Sequence, residues 1–218
     1  MSIDVDIRTR KVWLAVEYVV LFFGVAGAYA VVLRGVSPLP VLLVVALAVT
    51  AYLCRSGFDR RSFGRIRALA DEARSMIAAW SAAAVGLAIV VAVWQPAALF
   101  ELPREDPLLW LLILVFYPLV SVYPQELLYR AFLFHRYAPV FGDGPRMVAA
   151  SAAAFGFVHI LFGSWISVLL SGVAGCLFAE RFRRTRSLVA VSVEHALYGI
   201  LIFTVGLGQF FYHGATAN

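Results

Sequence analysis

The chain has 218 residues, of which 62% are hydrophobic and 14% charged. A soluble domain of this length could not bury so much apolar surface, so the composition excludes an ordinary soluble protein and favours a helical membrane protein. The net charge of +5 comes almost entirely from arginines at the ends of apolar runs, which indicates membrane orientation rather than binding to nucleic acid.

Seven apolar runs are long enough to cross a bilayer whose hydrocarbon core is about 30 Å thick, at about 1.5 Å per helical residue. In chain order they cover residues 12–33, 38–54, 75–99, 107–128, 146–163, 165–181 and 187–207. The sequence therefore predicts an all-α, polytopic transmembrane bundle of about seven spans that forms a single membrane domain over residues 1–218.

The arginines between these runs fall on one side of the predicted bundle. They belong to the N-terminus and to the loops after the second, fourth and sixth runs, whereas the opposite side has only Arg34 and Arg104. Basic residues are retained on the cytoplasmic side of a membrane. We therefore predict a cytoplasmic N-terminus. The short loops and the lack of a soluble domain further predict an integral protein of the bacterial inner membrane.

Two further segments predict surface or packing features. Residues 55–74 are basic, with apolar residues at loosely helical spacing, so they form either an amphipathic helix in the cytoplasmic interface or a solvated basic loop. The sixth run has a small residue at every fourth position, which lets helices approach closely. These small residues are Ser167, Ser171, Gly175 and Ala179.

Three polar clusters interrupt the apolar runs of the second half, where ionisable groups are costly and usually mark function. The first is Gln125-Glu126 with Arg130. Glu126 and Arg130 are four residues apart, so they share a helix face and can pair. Pro124 removes a backbone hydrogen bond just before them, which predicts a kink. Alone, this pair is equally consistent with an ion pair that only braces the packing.

The other two clusters centre on histidines. His159 follows Phe155 by four residues, so a phenyl ring can wall a pocket beside the imidazole. His195 lies between Glu194 and Tyr198. Neighbouring residues point about 100° apart on a helix, so we expect His195 to face the site. Glu194 then supports it or pairs with an arginine, and Tyr198 anchors the interface or donates a hydrogen bond.

The three clusters lie at similar depths. At about 1.5 Å per residue from the cytoplasmic helix ends, Glu126, His195 and His159 lie about 15, 12 and 20 Å deep, within a slab of about 8 Å. Unrelated polar positions would rarely agree in this way. We therefore expect one carboxylate and two imidazoles to converge on a shared wet pocket.

In order, spacing and helix placement, residues 105–205 resemble the catalytic core of the CPBP family of intramembrane endopeptidases, also called Abi proteins, which includes the type II CAAX prenyl protease. That family carries Glu-Glu-x-x-x-Arg, Phe-x-x-x-His and then His-x-x-x-Asn, or a similar residue in place of Asn, on successive helices. The corresponding stretches here are Gln125-Glu126 to Arg130, Phe155 to His159, and His195 to Gly199. The resemblance implies hydrolysis of a peptide or protein with a membrane-embedded or lipidated segment, in contact with membrane lipid and without nucleic acid.

Two positions depart from the family pattern. Gln125 replaces a glutamate that helps to polarise the attacking water, and Gly199 replaces an amide that can help to bind an oxyanion. Because glutamine cannot accept a proton, we expect Glu126 to be the general base and His159 to orient the water. We expect His195 to donate to the oxyanion. Gln125 then positions the water or the substrate, and Arg130 holds Glu126.

The same departures also fit other functions. A chain without cleavage activity would be a membrane scaffold or immunity protein on the same fold.

Zinc is the alternative cofactor, because His159, His195 and Glu126 form a common ligand set with an open position for water. The chain lacks His-Glu-x-x-His and would need Glu126 as both ligand and base, so we favour a mechanism without metal or other cofactor. A transporter or channel is a third class, but the matching halves typical of transporters are not seen.

Overall fold

The computed structural model describes residues 2–211, with side chains from Ile7 onward, and in this range every regular element is helical. The first helix begins at Ser2, and the label α1 is used for its membrane-length part from Ile7. We number the helices α1 (Ile7–Val32), α2 (Leu39–Arg55), α3 (Arg67–Trp94), α4 (Glu101–Glu105), α5 (Pro107–Arg136), α6 (Ala138–Phe141), α7 (Pro145–Phe162), α8 (Trp165–Thr185) and α9 (Leu188–Thr204).

Seven of these helices are apolar, and each overlaps one of the seven predicted runs; α3 begins eight residues earlier and ends five residues earlier than predicted, and α5 ends eight residues later. Five of them (α1, α3, α5, α7 and α8) are long and apolar enough to cross a membrane, and α2 and α9 are shorter apolar helices. Large apolar side chains cover the outer faces, such as Val93 at 81% exposure and Leu47 at 72%. Such surfaces need an apolar solvent. The chain is thus an all-α, polytopic membrane protein, while the number of crossings and the orientation stay predictions.

Polar contacts join three loops at one end of the bundle. The loop after α2 meets the turn before α9, where the Ser187 hydroxyl donates to the carbonyl oxygen of Arg65 at 2.8 Å. Arg186 in that turn pairs with Asp143 in the loop before α7. Three loops that the sequence predicts on one side of the membrane therefore lie side by side.

The opposite end of the bundle is held by contacts between the segment after α3, the start of α5 and the end of α9. Gln209 Nε2 donates to Gln95 Oε1 at 2.8 Å. The Trp110 indole donates to the Thr204 hydroxyl at 3.0 Å. The apolar helices therefore run back and forth between two distinct ends.

Helix α5 departs from regular α-helical geometry on both sides of Pro124. Pro118–Val122 and Leu127–Phe132 are π-helical turns that flank Tyr123–Glu126. A proline lacks the backbone donor that a regular helix needs, and single π turns are frequent at functional sites. The irregularity expected at Pro124 is thus spread over two widened turns, which set the direction in which Glu126 points.

Helices α7 and α8 pack closely along small residues. A Cβ atom added to Gly156 would lie 2.9 Å from the Cα of Gly172, and one added to Gly175 would lie 3.1 Å from the Cα of Ala152. The four small residues predicted to line α8 are all buried. The predicted close approach is confirmed, and it fixes α7, which carries Phe155.

Residues 55–74 comprise the last residue of α2, a loop and the first residues of α3. The loop contains one 3-10 turn, Arg60–Phe63. The rings of Phe58 and Phe63 lie 5.4 Å apart, and Phe58 lies 5.6 Å from the His135 ring of α5. The aromatic side chains of this segment therefore fold back onto the end of α5.

Candidate active site

The three polar clusters meet around one phenyl ring. Glu126, His159 and His195 come from α5, α7 and α9, and His195 Nδ1 lies 2.7 Å from Glu126 Oε1. The Phe155 ring centroid is 5.2 Å from that of His195 and 4.9 Å from that of His159. Residues that are widely separated in sequence thus form one constellation, and the acid is in direct contact with one imidazole.

Glu126 is fully buried, and both of its oxygens are engaged. Oε1 accepts from His195, and Oε2 lies 3.1 Å from Nε of the equally buried Arg130. The ion pair lacks the alignment of a hydrogen bond, and the other guanidinium nitrogens find no acceptor in the described part of the chain. The Arg130 guanidinium instead lies 4.6 Å from the Phe155 centroid and 5.6 Å from that of Phe178. Charge pairing and cation–π contacts together hold two charges that would otherwise be too costly to bury.

His195 is held in place on three sides. Its ring stacks on Phe178 at 4.7 Å and 21°, and the edge of Phe155 meets it at 90°. Because a carboxylate only accepts, Nδ1 donates to Glu126 and Nε2 is left as an acceptor. Nε2 lies 3.3 Å from the Tyr117 hydroxyl. The geometry therefore fixes both the tautomer and the orientation of this imidazole.

His159 has its tautomer fixed by the backbone. Its Nδ1 lies 2.7 Å from the carbonyl oxygen of Phe155, one helical turn earlier. A carbonyl oxygen only accepts, so Nδ1 donates and Nε2 remains an acceptor. The Phe162 ring lies 5.5 Å from the imidazole on the other side. Both histidines thus keep one acceptor nitrogen that is not bonded to the protein backbone or to Glu126.

A cavity of about 1680 Å³ extends through the bundle next to these groups. Its walls are mostly apolar, and His159, His195, Gln125 and Tyr117 are among the polar residues that line it. Glu126 is not a wall residue. The sequence predicted that Glu126 would face the attacking water directly, but its carboxylate reaches the cavity only through His195. Burial between Arg130 and the imidazole is the physical reason for this difference.

The predicted supporting residues take different positions. Gln125 lines the cavity and donates through Nε2 to the Ser121 hydroxyl at 2.8 Å. Tyr198 also lines the cavity, with its ring 5.9 Å from that of Phe178. Neither side chain contacts Glu126 through a hydrogen bond in the described structure, so both are wall residues beside the constellation.

Glu194 points away from the site, as expected for the neighbour of His195. Its two oxygens each accept from Arg181 of α8 at 2.9 Å. Arg181 also donates to Ser75 at 2.8 Å and pairs with Glu72, both in α3. Glu194 thus belongs to an ion-pair cluster that ties three helices together directly behind His195.

Tyr117 is a polar cavity residue that the sequence analysis did not single out. It lies in an otherwise apolar stretch of α5, nine residues before Glu126. The sequence does contain an indication of this role. Tyr117, Ser121 and Gln125 occur at every fourth position, which places them on one face of a helix. All three line the cavity.

The ligands of the zinc alternative, His159, His195 and Glu126, are not arranged as a metal site in the described part of the chain. Among the described residues, no group of three or more histidine, cysteine, aspartate or glutamate side chains is arranged to hold a metal ion. Glu126 and His195 are bonded to each other, and His159 Nδ1 is bonded to a carbonyl oxygen. The donor set therefore does not fit a zinc ion in this arrangement.

Residues 106–201 match the family of Rce1-like type II CAAX prenyl endopeptidases. The match confirms the resemblance found in the sequence, and the Rce1-like segment contains every residue of the constellation. At the level of the family it supports an intramembrane protease of the CAAX-protease type, acting on a membrane-associated peptide substrate. The curated proteins and the solved structures yielded no match.

Proposed function

We propose that the protein is an intramembrane endopeptidase that hydrolyses a peptide bond in a membrane-associated or C-terminally anchored substrate, using water activated by a glutamate–histidine pair. One observation carries the proposal. The buried carboxylate of Glu126 holds His195 by a 2.7 Å hydrogen bond, and His195 lines a large cavity with His159. A carboxylate behind an imidazole is an established way to make a histidine an effective base.

The proposed reaction begins with water bound at Nε2 of His195. The water oxygen adds to the carbonyl carbon of the substrate, and the proton passes to Nε2. Glu126 stabilises the imidazolium that forms, through the bond to Nδ1. The carbon–nitrogen bond then breaks, and His195 returns the proton to the leaving amine. Glutamate thus activates the water through the imidazole, without a metal or another cofactor.

The neighbouring residues have supporting roles in this proposal. The free Nε2 of His159 accepts a hydrogen bond from the attacking water and orients it. Gln125 keeps one amide N–H for the substrate or the water, because only the other is used by Ser121. Arg130 lies 3.1 Å from the buried carboxylate and holds it in position. Phe155 packs against both imidazoles and holds them in place.

The setting of the site supports a substrate that arrives from the membrane. The cavity is walled largely by apolar residues from several membrane-length helices. A peptide with a membrane-embedded or lipidated segment matches this lining better than a soluble one. We also propose that the protein lies in the inner membrane of a bacterium with its N-terminus in the cytoplasm, because the basic loops at one end of the bundle favour that orientation.

The test is cleavage of reporter peptides, both prenylated and unmodified, by the protein in proteoliposomes. Glu126→Ala, His159→Ala and His195→Ala should each lower the turnover rate at least about 100-fold, the scale of a lost general base. His135→Ala is the matched control, because this histidine bonds Ser56 outside the cavity. It should cleave at the wild-type rate.

Two alternatives make different predictions in the same assay. If the wild type cleaves no reporter, while the three variants still bind their partner proteins, the chain is a scaffold or immunity protein. The substitution at Gln125 favours that outcome. If cleavage is lost with a chelator and returns with zinc, the reaction is that of a metalloprotease. Cleavage that persists with a chelator supports the mechanism proposed.

A further inference from the structure

The hydroxyl of Tyr117 lies directly opposite the Nε2 nitrogen of His195. Its oxygen is 3.3 Å from Nε2, and both side chains line the cavity. Since Nε2 has no hydrogen of its own in the tautomer fixed by Glu126, the tyrosine donates and the imidazole accepts. Within the described structure, no group other than the Tyr117 hydroxyl forms a hydrogen bond with Nε2 of His195.

Space for the tyrosine is provided by a glycine on α9. A Cβ atom added to Gly199 would lie 2.2 Å from the Tyr117 hydroxyl oxygen and 2.4 and 2.5 Å from two ring carbons. Even an alanine at this position would displace the ring. Gly199 follows His195 by four residues, so it lies one turn along the same face of α9. The tyrosine hydroxyl thus occupies the volume that any side chain of residue 199 would fill.

We propose that the Tyr117 hydroxyl is a catalytic hydrogen-bond donor that stabilises the oxyanion formed on the scissile carbonyl. This inference rests on the proposed function. When substrate and water enter, rotation about the carbon–oxygen bond turns the hydroxyl hydrogen from Nε2 to the carbonyl oxygen. Nε2 is then free to accept the proton of the water. The tyrosine keeps its own proton throughout, so it contributes a donor without being consumed.

The position of the donor suits this role. The water and the carbonyl that it attacks must both lie near His195 Nε2, and the hydroxyl is within hydrogen-bonding reach of that point. The Tyr117 ring also packs edge to face with Phe203, with centroids 5.8 Å apart. A donor fixed in advance at the place where charge develops is worth about 100- to 1000-fold in rate.

Tyr117→Phe is the direct test, with steady-state kinetics on the same reporter peptides. The variant removes only the hydroxyl, and kcat should fall about 100-fold while KM changes less than about threefold. Tyr123→Phe is the matched control on the same helix, because its hydroxyl faces the Phe63 carbonyl outside the cavity. The control should keep the wild-type kcat.

A second variant moves the hydroxyl without removing it. Gly199→Ala should lower kcat comparably to Tyr117→Phe, because the added methyl group displaces the ring. Unchanged melting temperatures in detergent would show that both variants are folded. Adding Gly199→Asn to Tyr117→Ala places an amide donor in the vacated space, and kcat should rise at least about tenfold above that of Tyr117→Ala alone.

The outcomes separate the two proposals. If Tyr117→Phe keeps the wild-type kcat while Glu126→Ala and His195→Ala are inactive, the role of Tyr117 is wrong and the protease function stands. If Tyr117→Phe raises KM and leaves kcat unchanged, the residue binds substrate and is not an oxyanion donor. If the wild type cleaves no reporter, both proposals fail.

Discussion

At the scale of single residues, the central feature is an ion pair with no access to solvent. Glu126 and Arg130 are both fully buried, 3.1 Å apart, and the guanidinium also lies over Phe155. Removing one partner leaves the other charge uncompensated, whereas removing both can be nearly neutral. The pair therefore offers a way to separate the structural role of the charges from their chemical role.

We expect Arg130→Met to destabilise the protein by about 3–5 kcal/mol, which lowers its unfolding temperature in detergent by about 10 °C. The double variant Glu126→Gln with Arg130→Met should recover most of this loss, because no unpaired charge remains. It should still be inactive, because a neutral amide in place of the carboxylate cannot stabilise an imidazolium at His195. Arg183→Met is the control, since that arginine pairs with Glu180 at the surface. A double variant no more stable than Arg130→Met would contradict the role of charge pairing.

At the scale of helices, the contact between α7 and α8 determines where two site residues lie. Gly156 is adjacent to Phe155 and three residues before His159, and its face meets the backbone of α8 at Gly172. A methyl group on Gly156 must push the helices apart, since the backbone atoms of α8 that it meets cannot move aside. The distance between these helices should therefore control both stability and the position of the phenyl ring.

Gly156→Ala should thus cost about 1–3 kcal/mol in stability and lower the rate of peptide cleavage, because Phe155 shifts with the helix. Gly172→Ala is the matched control. Although Gly172 is the contact partner, a Cβ atom added there meets no atom within 4 Å. Its melting temperature should stay the same or rise slightly, as expected for alanine in a helix. Equal losses in both variants would show that helix separation is not the cause.

Some features of the helices can be predicted from the sequence, whereas others depend on how the helices pack. The apolar runs, the small residues of α8 and the pairing of Glu126 with Arg130 follow from spacing alone, and the structure contains all of them. The direction of the Glu126 carboxylate does not follow from spacing, because two π-helical turns around Pro124 shift the faces of α5. The contact between Tyr117 and His195 is likewise unpredictable, since it depends on a gap at Gly199 that exists only when α5 and α9 are packed.

At the scale of the whole molecule, the two ends of the bundle carry different chemistry. At one end, the turn before α9 contacts two loops. Ser187 in this turn bonds Arg65 in the loop after α2, and Arg186 in the turn pairs with Asp143 in the loop before α7. These loops belong to the basic side of the predicted topology. An even number of crossings separates any two segments on the same side of a membrane. The contacts at this end therefore agree with the alternation of seven spans that the arginines predict.

Cysteine labelling would test this topology directly, in a background that lacks both native cysteines. We expect a membrane-impermeant maleimide to label Ser37→Cys and Glu101→Cys in intact cells, because both positions belong to the outer side. Asp59→Cys and Asp143→Cys should react only after permeabilisation, as they lie in loops of the basic end. The reversed pattern would mean that the orientation is opposite, and different behaviour of Asp59→Cys and Asp143→Cys would contradict the number of crossings between them.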